Sequence, residues 1–251
     1  MTQQPDHSIS NRNEPVGATA VLIGRAGSKG LPGKNSRMLA GKPMVAHSIE
    51  HALQATHVNR VLVSSDCPNL LAAAGAYSDV EIVKRPPELA ADTTTVDDAV
   101  RHAVSGDAAS VVVILYVNVP IRPADVIDRA IEKLLDTGAD SVQSYQAVGK
   151  YHPYWMNRLD DDGRVVAYEA NTVYRRQDLP PLYVPDGGVI VVRRDSLFTV
   201  VPGEPHAFLG RDRRGIVNPS MSVIDIDTEL DLRVAEAVLL QSGIREPNHV
   251  T

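Results

Sequence analysis

The chain has 251 residues, 43% of them hydrophobic and 22% charged, and a formal net charge of −6. This length allows one large α/β domain or two small ones with a sizeable core, while the acidic balance argues against a general nucleic-acid-binding protein. Cys67 is the only cysteine, which excludes an intramolecular disulfide framework. No apolar run approaches the roughly 20 residues that cross a bilayer. We therefore expect a cytoplasmic protein without a membrane segment.

The first predicted element is a buried strand at 21–23, where Val, Leu and Ile form a short apolar run. Residues 1–17 before it are polar and show no signal-peptide pattern. We expect residues 1–17 to be a disordered tail, because they offer little apolar surface for a core.

A glycine-rich, basic loop follows this strand over residues 24–35. Glycines let the backbone approach a ligand closely, so that successive amide groups, here those of 26–30, can converge on an anion. The side chains of Arg25, Lys29 and Lys34 add positive charge. The loop therefore predicts a polyphosphate site, the plain alternative being a solvated surface turn.

Two common phosphate-binding motifs do not fit this loop. A dinucleotide fingerprint needs a glycine where Ala26 stands, and a Walker A loop needs Ser or Thr after Gly33-Lys34, where this chain has Asn35. The spacing therefore disfavours both an NAD-dependent dehydrogenase and a P-loop nucleotidase.

Beyond the loop, hydrophobic patterning predicts alternating helices and strands, which indicates a mostly parallel sheet. His47 and His51 are expected on a solvated face of the first helix. The most apolar strand, 110–115, is expected at the centre of the sheet. The predicted helices span 44–54, 69–77, 124–137 and 229–240, with one more inside 93–105, and the other strands span 60–65 and 80–83.

A pair of acidic residues occurs late in the chain, in a segment that alternates as a strand does from Val223 to Asp227. The alternation places Asp225 and Asp227 on one face, about 7 Å apart over two strand steps. Two carboxylates suit Mg²⁺, which takes hard oxygen ligands and keeps several waters, whereas the alternative is a solvated edge strand. Thr228 is expected to cap the closing helix.

Four ordered motifs resemble those of the acylneuraminate (CMP-sialic acid and nonulosonic acid) cytidylyltransferase family, which is related to the CMP-KDO synthetases. They are RAGSKGLPGKN, RPPELAAD, RRQDLP and SVIDIDT. The resemblance implies a domain over 18–245 with a mostly parallel, twisted α/β sheet, helices on both faces and the nucleotide-diphosphosugar-transferase (Rossmann-like) fold. It also implies a protruding dimerisation insert at 141–185, and hence a homodimer.

The resemblance further implies that CMP passes from CTP to a sialic-acid-like 2-keto sugar acid, with Mg²⁺ as cofactor and pyrophosphate as product. The catalytic residues would be Arg25 and Lys34, which hold phosphates, and Asp225 and Asp227, which hold the metal. The nucleotide-binding residues implied are Ala26, Gly27, Ser28, Lys29, Asn35, Arg85, Thr94 and Thr95. The sugar-binding residues implied are Tyr116, Arg122, Asp186 and Ile190, with Arg175 and Arg176 reaching in from the partner subunit.

Three of these positions depart from the family pattern. Tyr116 replaces a glutamine, Asp186 an asparagine and Ile190 a tyrosine, which indicates a substrate other than ordinary N-acetylneuraminate. Two alternatives stay open at this point: a nucleotidyltransferase that uses another nucleotide or a sugar phosphate, and a non-catalytic nucleotide-binding homologue.

Overall fold

The computed structural model describes residues 17–27 and 30–243. Residues 1–16, Ser28, Lys29 and residues 244–251 lie outside this description, and with them the predicted tail and the expected nucleotide contacts of Ser28 and Lys29. The strands are β1 (Ala18–Ile23), β2 (Met38–Leu39), β3 (Lys42–Pro43), β4 (Val58–Ser65), β5 (Val80–Lys84), β6 (Val111–Tyr116), β7 (Ser141–Ala147), β8 (Asn157–Leu159), β9 (Val165–Ala167), β10 (Tyr183–Arg193) and β11 (Arg213–Val217). The α-helices are α1 (Met44–Gln54), α2 (Pro68–Ala74), α3 (Val96–Ala103), α4 (Val126–Thr137), α5 (Arg194–Leu197) and α6 (Glu229–Gly243).

Within the described residues, seven strands form a central sheet in the order β11-β7-β10-β6-β1-β4-β5. Strands β1, β4, β5 and β6 are parallel neighbours and β11 runs parallel to β7, whereas β10 is antiparallel to both β6 and β7. The prediction of a mostly parallel sheet is therefore confirmed. Strand β6 holds the middle position as expected, because its continuous apolar run is buried on both faces.

Helices cover both faces of the sheet. On one face, α1, α2 and α4 pack through residues such as Ile49, Leu70 and Ile131 against Leu22 and its neighbours. On the other face, α3 and α5 pack against a separate set of strand residues that includes Ile114. A third, smaller cluster joins α6 to the start of α1. The predicted layering with helices on both faces is confirmed.

Two local expectations are wrong. His47 is buried, and its Nε2 lies 3.0 Å from the carbonyl oxygen of Leu39, so α1 does not present it on a solvated face. The segment 223–227 is not a strand either, because only Ile224 makes an isolated bridge, to Ile121. The burial of that segment still alternates as the sequence suggested.

The start of α6 agrees with the expected cap. The backbone N–H of Asp231 donates to Thr228 Oγ1 (3.3 Å), and the carboxylate of Asp231 accepts from Thr228 N (2.7 Å). This reciprocal pair is a capping box, which satisfies two N–H groups at the helix start.

The region proposed as an insert begins inside the central sheet, since 141–147 forms β7 and pairs with β10 and β11. What projects from the sheet is the following stretch, 148–182, which carries the exposed β8–β9 hairpin.

Candidate active site

A polar cleft of about 380 Å³ opens at the carboxyl ends of β1, β5 and β6, where an α/β sheet places its ligand crevice. It brings together residues that lie far apart in the sequence. Its walls are formed by Ile23, Gly24, Arg25, Gly27, Gly30, Lys34, Asn35, Arg85, Leu89, Ala91, Asp92, Thr94, Thr95, Val96, Ala99, Tyr116, Asn118 and Asp227.

The glycine-rich loop is folded against the acidic segment. A Cβ at Gly30 would stand 2.7 Å from the backbone oxygen of Asp227, so only glycine permits this approach. Gly33 has φ of 66°, in the left-handed region, and precedes a short 3₁₀ turn at Lys34–Ser36. The buried Asn35 then ties the loop together, because its Nδ2 donates to the carbonyl oxygen of Arg25 (2.9 Å).

The two loop cations in the described residues are each paired with an acid across the cleft. Arg25 forms an ion pair with Asp92, the last residue of the second motif. Lys34 Nζ contacts Asp227 Oδ1 at 2.5 Å and the carbonyl oxygen of Ile226 at 2.8 Å. Both cations line the cleft, each beside a carboxylate.

Arg85 forms the back of the cleft. Its guanidinium is buried and donates from Nη2 to the carbonyl oxygen of Ser64 (2.8 Å). Burial lowers the pKa of Arg85, with the charge of Asp66 opposing and that of Arg25 adding to the effect. Asp66 also accepts from Ala26 N (2.8 Å), so this amide of the loop is occupied by protein.

The expected nucleotide-binding threonines line the cleft but use their hydroxyls locally. Thr94 Oγ1 donates to the carbonyl oxygen of Glu88 (3.1 Å). Thr95 is the N-cap of α3, where its Oγ1 accepts from Asp98 N (3.3 Å). The structure thus gives both residues a role in shaping the cleft wall.

Of the acidic pair, Asp227 lines the opposite wall, while Asp225 lies just outside the lining, against the cleft residue Asn118. Asp225 keeps solvent access on one side, and Asn118 Nδ2 donates to its Oδ1. Partial burial, followed by the charge of Asp227, raises the pKa of Asp225 above its ordinary value, against the influence of Lys34 and the Asn118 bond. The two carboxylates therefore repel each other across a small space.

This donor set fits a magnesium ion. Mg²⁺ is commonly bound by one or two carboxylates together with substrate phosphates and waters, and a divalent charge would relieve the repulsion between Asp225 and Asp227. The residues that the structure describes contain no group of three or more His, Cys, Asp or Glu suited to a metal. Protein side chains alone therefore do not form a complete metal site here.

Among the expected sugar-binding residues, only Tyr116 lines this cleft. Burial, and then the charge of Asp225, raise the pKa of its phenol. Ile190 is 7% exposed and packs in the core beside Ile114, its partner in the β10–β6 ladder. The structure does not bring Ile190 to the cleft.

Arg122 and Asp186 also lie away from the cleft. Arg122 is only 4% exposed and donates to Ser48 Oγ (3.3 Å) and the carbonyl oxygen of Tyr116 (3.1 Å). Burial lowers the pKa of Arg122 to about 9, against the opposing charge of Asp186. Asp186 itself accepts from Ser144 Oγ (2.5 Å) and Gly188 N (2.9 Å).

Arg175 and Arg176 stand on the projecting stretch 148–182, as the resemblance suggested. Arg175 Nε pairs with Asp178 Oδ2 at 2.7 Å, and Arg176 lines a separate groove of about 800 Å³ at the base of the projection. In the single chain, neither arginine is part of the cleft.

Sequence reasoning missed three polar residues that act at the cleft: Asp66, Asp92 and Asn118. A signal existed for each of them, because Asp66 directly follows β4, Asn118 lies two residues after β6, and Asp92 closes the second motif. Polar residues just after parallel strands are the expected ligand-site positions.

A mostly parallel sheet with a basic, glycine-edged cleft facing two carboxylates defines an α/β protein suited to a small polyanion and a divalent cation. The chain belongs to the cytidylyltransferase family, since residues 19–193 match the model of the family described as Cytidylyltransferase. The resemblance inferred from the four motifs is thereby confirmed.

Relatives of known function agree with this membership. The chain is 33% identical over 231 residues to an N-acylneuraminate cytidylyltransferase of Streptococcus agalactiae, covering 90% of this chain and 54% of the relative. It thus spans about half the length of the first of these curated relatives. It is 30% identical over 229 residues to a CMP-N,N'-diacetyllegionaminic acid synthase of Legionella pneumophila, covering 88% of this chain and 95% of that one.

The fold has a solved counterpart. A CMP:2-keto-3-deoxy-manno-octonic acid synthetase complexed with CTP superposes with a TM-score of 0.70 at 19% identity, over 90% of this chain and 99% of the other. This match confirms the predicted fold class. No helix in the described parts of the chain has the length and apolar character needed to span a membrane.

Proposed function

We propose that this protein transfers CMP from CTP to a nonulosonic, 2-keto sugar acid and releases pyrophosphate. The observation that supports it most is the cleft itself, which brings Lys34, Asn35 and Arg85 of the two basic motifs together with Asp227 of the acidic pair. Legionaminic and acylneuraminic acids are the substrates named for the relatives, so an acidic nine-carbon sugar is the substrate class proposed.

In the proposed reaction, the anomeric hydroxyl oxygen of the sugar forms a bond to the α-phosphorus of CTP, and the bond from that phosphorus to the bridging oxygen breaks. Pyrophosphate leaves with the electron pair, and the hydroxyl proton passes to solvent. Phosphoryl transfer asks mainly for positioning and charge stabilisation. Arg25 and Lys34 exchange their carboxylate partners for phosphate oxygens, and Arg85 stabilises the nucleotide from the buried side.

Asp225 and Asp227 would hold Mg²⁺, which would supply charge neutralisation at the reacting phosphate. Tyr116 is proposed to face the sugar, since it is the sugar-site candidate that lines the cleft. Residues 18–245 are proposed as one catalytic domain, working in the cytoplasm, where the single free Cys67 stays reduced.

We further propose a homodimer formed through the projecting stretch 148–182. Its exposed apolar residues include Leu159, Val166 and Tyr174, the last 92% exposed, and a contiguous exposed apolar patch marks an interaction surface. Sedimentation should give a dimer for the wild type and a monomer for V166D. A control substitution on the far side of the sheet, such as N59A, should leave the dimer intact.

The proposed reaction is tested by measuring pyrophosphate release with CTP and Mg²⁺ across a panel of legionaminic, acylneuraminic and KDO-type acids. Release with a legionaminic or acylneuraminic acid, and none with a KDO-type acid or with ATP or GTP in place of CTP, is the expected result. Binding of CTP without release on any acid would refute the proposed transfer and leave a nucleotide-binding homologue.

A further inference from the structure

Asn118 occupies a rigid turn directly after β6. Its neighbours Val117 and Val119 are buried in the core. The turn is closed by bonds from Val117 N to the carbonyl oxygen of Ile23 (3.1 Å) and from Val119 N to that of Tyr116 (3.2 Å). Flanked by two buried valines, Asn118 lines the cleft on the side of the acidic pair.

Asn118 contacts the Asp225 segment twice. Its carbonyl oxygen accepts from Ile226 N (2.8 Å), and its side-chain Nδ2 donates to Asp225 Oδ1. On the other side of Asp225, Ile224 N donates to the carbonyl oxygen of Ile121 (3.1 Å); Ile224 is buried and Ile121 is partly buried. The backbone around Asp225 is therefore fixed without the Asn118 side chain, whose bond acts on the carboxylate alone.

The Asp225 carboxylate needs such a donor. The like charge of Asp227 stands two residues away, and the cleft cation Lys34 is bonded to Asp227. A carboxylate without a donor would turn toward water, away from its repelling neighbour. A neutral amide can hold it in place without cancelling the charge that a cation would use.

We propose that Asn118 is a positioning residue, whose amide orients the Asp225 carboxylate so that Asp225 and Asp227 together bind a divalent cation. The role of that cation in catalysis rests on the proposed function. Binding of the cation, however, can be measured without turnover. Partners that orient a metal ligand typically change metal affinity by about 10- to 100-fold when they are removed.

The test measures Mn²⁺ binding to the full chain by electron spin resonance, with and without CTP and without sugar. The variant N118A removes the amide, D225N removes the ligand charge, and N59A serves as a matched control on the exposed start of β4. We expect about 10- to 100-fold weaker Mn²⁺ binding in N118A and no change in N59A. The double variant N118A/D225N should bind Mn²⁺ no more weakly than D225N alone, because the Asn118 amide acts through Asp225.

Thermal unfolding separates positioning from a structural role. The backbone bonds of Asn118 survive in N118A, so its melting temperature should stay within about 2 °C of the wild type. Unchanged Mn²⁺ affinity, a parallel loss of affinity and stability, or a wild type that binds no Mn²⁺ would each overturn the proposal. Weakened Mn²⁺ binding together with no pyrophosphate release by the wild type would support the positioning role while refuting the proposed reaction.

Discussion

Replacing the two cleft carboxylates by amides, in the variants D225N and D227N, should abolish transfer in both cases while changing stability in opposite directions. The difference arises from their partners. Asp225 is bonded by a neutral amide and repelled by a like charge, whereas Asp227 is bonded by a cation. Loss of charge removes the same repulsion in both variants, but only D227N also breaks an ion pair.

The size of each effect follows from the geometry. Two unit charges about 7 Å apart, the length of two extended residues, repel by about 0.6 kcal/mol in water and about 2.4 kcal/mol at an effective dielectric of 20. Solvent access places D225N near the lower half of that range, so we expect about 1 kcal/mol of added stability. D227N gains the same relief, but its Lys34 ammonium, whose side chain is only 12% exposed, keeps just one carbonyl partner. We expect the lost ion pair to outweigh the relief and leave a net cost of about 1 kcal/mol.

The assay is thermal unfolding in EDTA, so that bound metal does not contribute, together with pyrophosphate release under saturating CTP and Mg²⁺. For a chain of this size, 1 kcal/mol corresponds to about 2–4 °C. We expect D225N to melt above the wild type, D227N below it, and both to lose at least about 100-fold in turnover. A destabilised D225N would refute the repulsion argument, and wild-type turnover in either variant would refute the assigned role.

Three further predictions concern stability. G30A should lose about 1–3 kcal/mol, because its Cβ would press on the Asp227 carbonyl, whereas G27A, which meets nothing within 4 Å, should be near neutral in the same denaturant titration. T95A should lose about 1 kcal/mol by uncapping α3, and equal stability would contradict that cap. Burial, and then nearby cations, lower the pKa of His51 to about 4 from 6.5. The unfolded chain therefore takes up the proton first as pH falls, and stability drops between pH 6.5 and 4. H51Q should remove about 3 kcal/mol of that drop; an unchanged pH profile would argue against it.

Much of the fold could be predicted because its elements carry strong local patterns. The helix 44–54 was expected at the bounds that α1 shows, since apolar residues recur at helical spacing and Pro43 precedes it. The run 110–115 was expected at the centre because only a strand buried on both faces can be apolar at every position.

Half of the cleft could also be predicted, because the loop 24–35 and Arg85 each directly follow a parallel strand. Strand ends that share a sheet edge bring such residues together. Two residues expected on the sugar side lie outside the cleft for a different reason. Arg122 and Ile190 lie close in the fold to β6, but the direction of a side chain depends on packing, and packing turned both of them into the interior.

The acidic pair shows how a wrong local prediction can still yield a correct placement of side chains. The segment 223–227 lacks a strand ladder, yet Ile224 and Ile226 are buried and the two aspartates between and after them face outward. Hydrophobic burial of alternate residues is therefore enough to fix the face, whether or not a ladder forms. The contact of Asp227 with Lys34, 193 positions earlier, then follows from where those isoleucines dock, which no local pattern specifies.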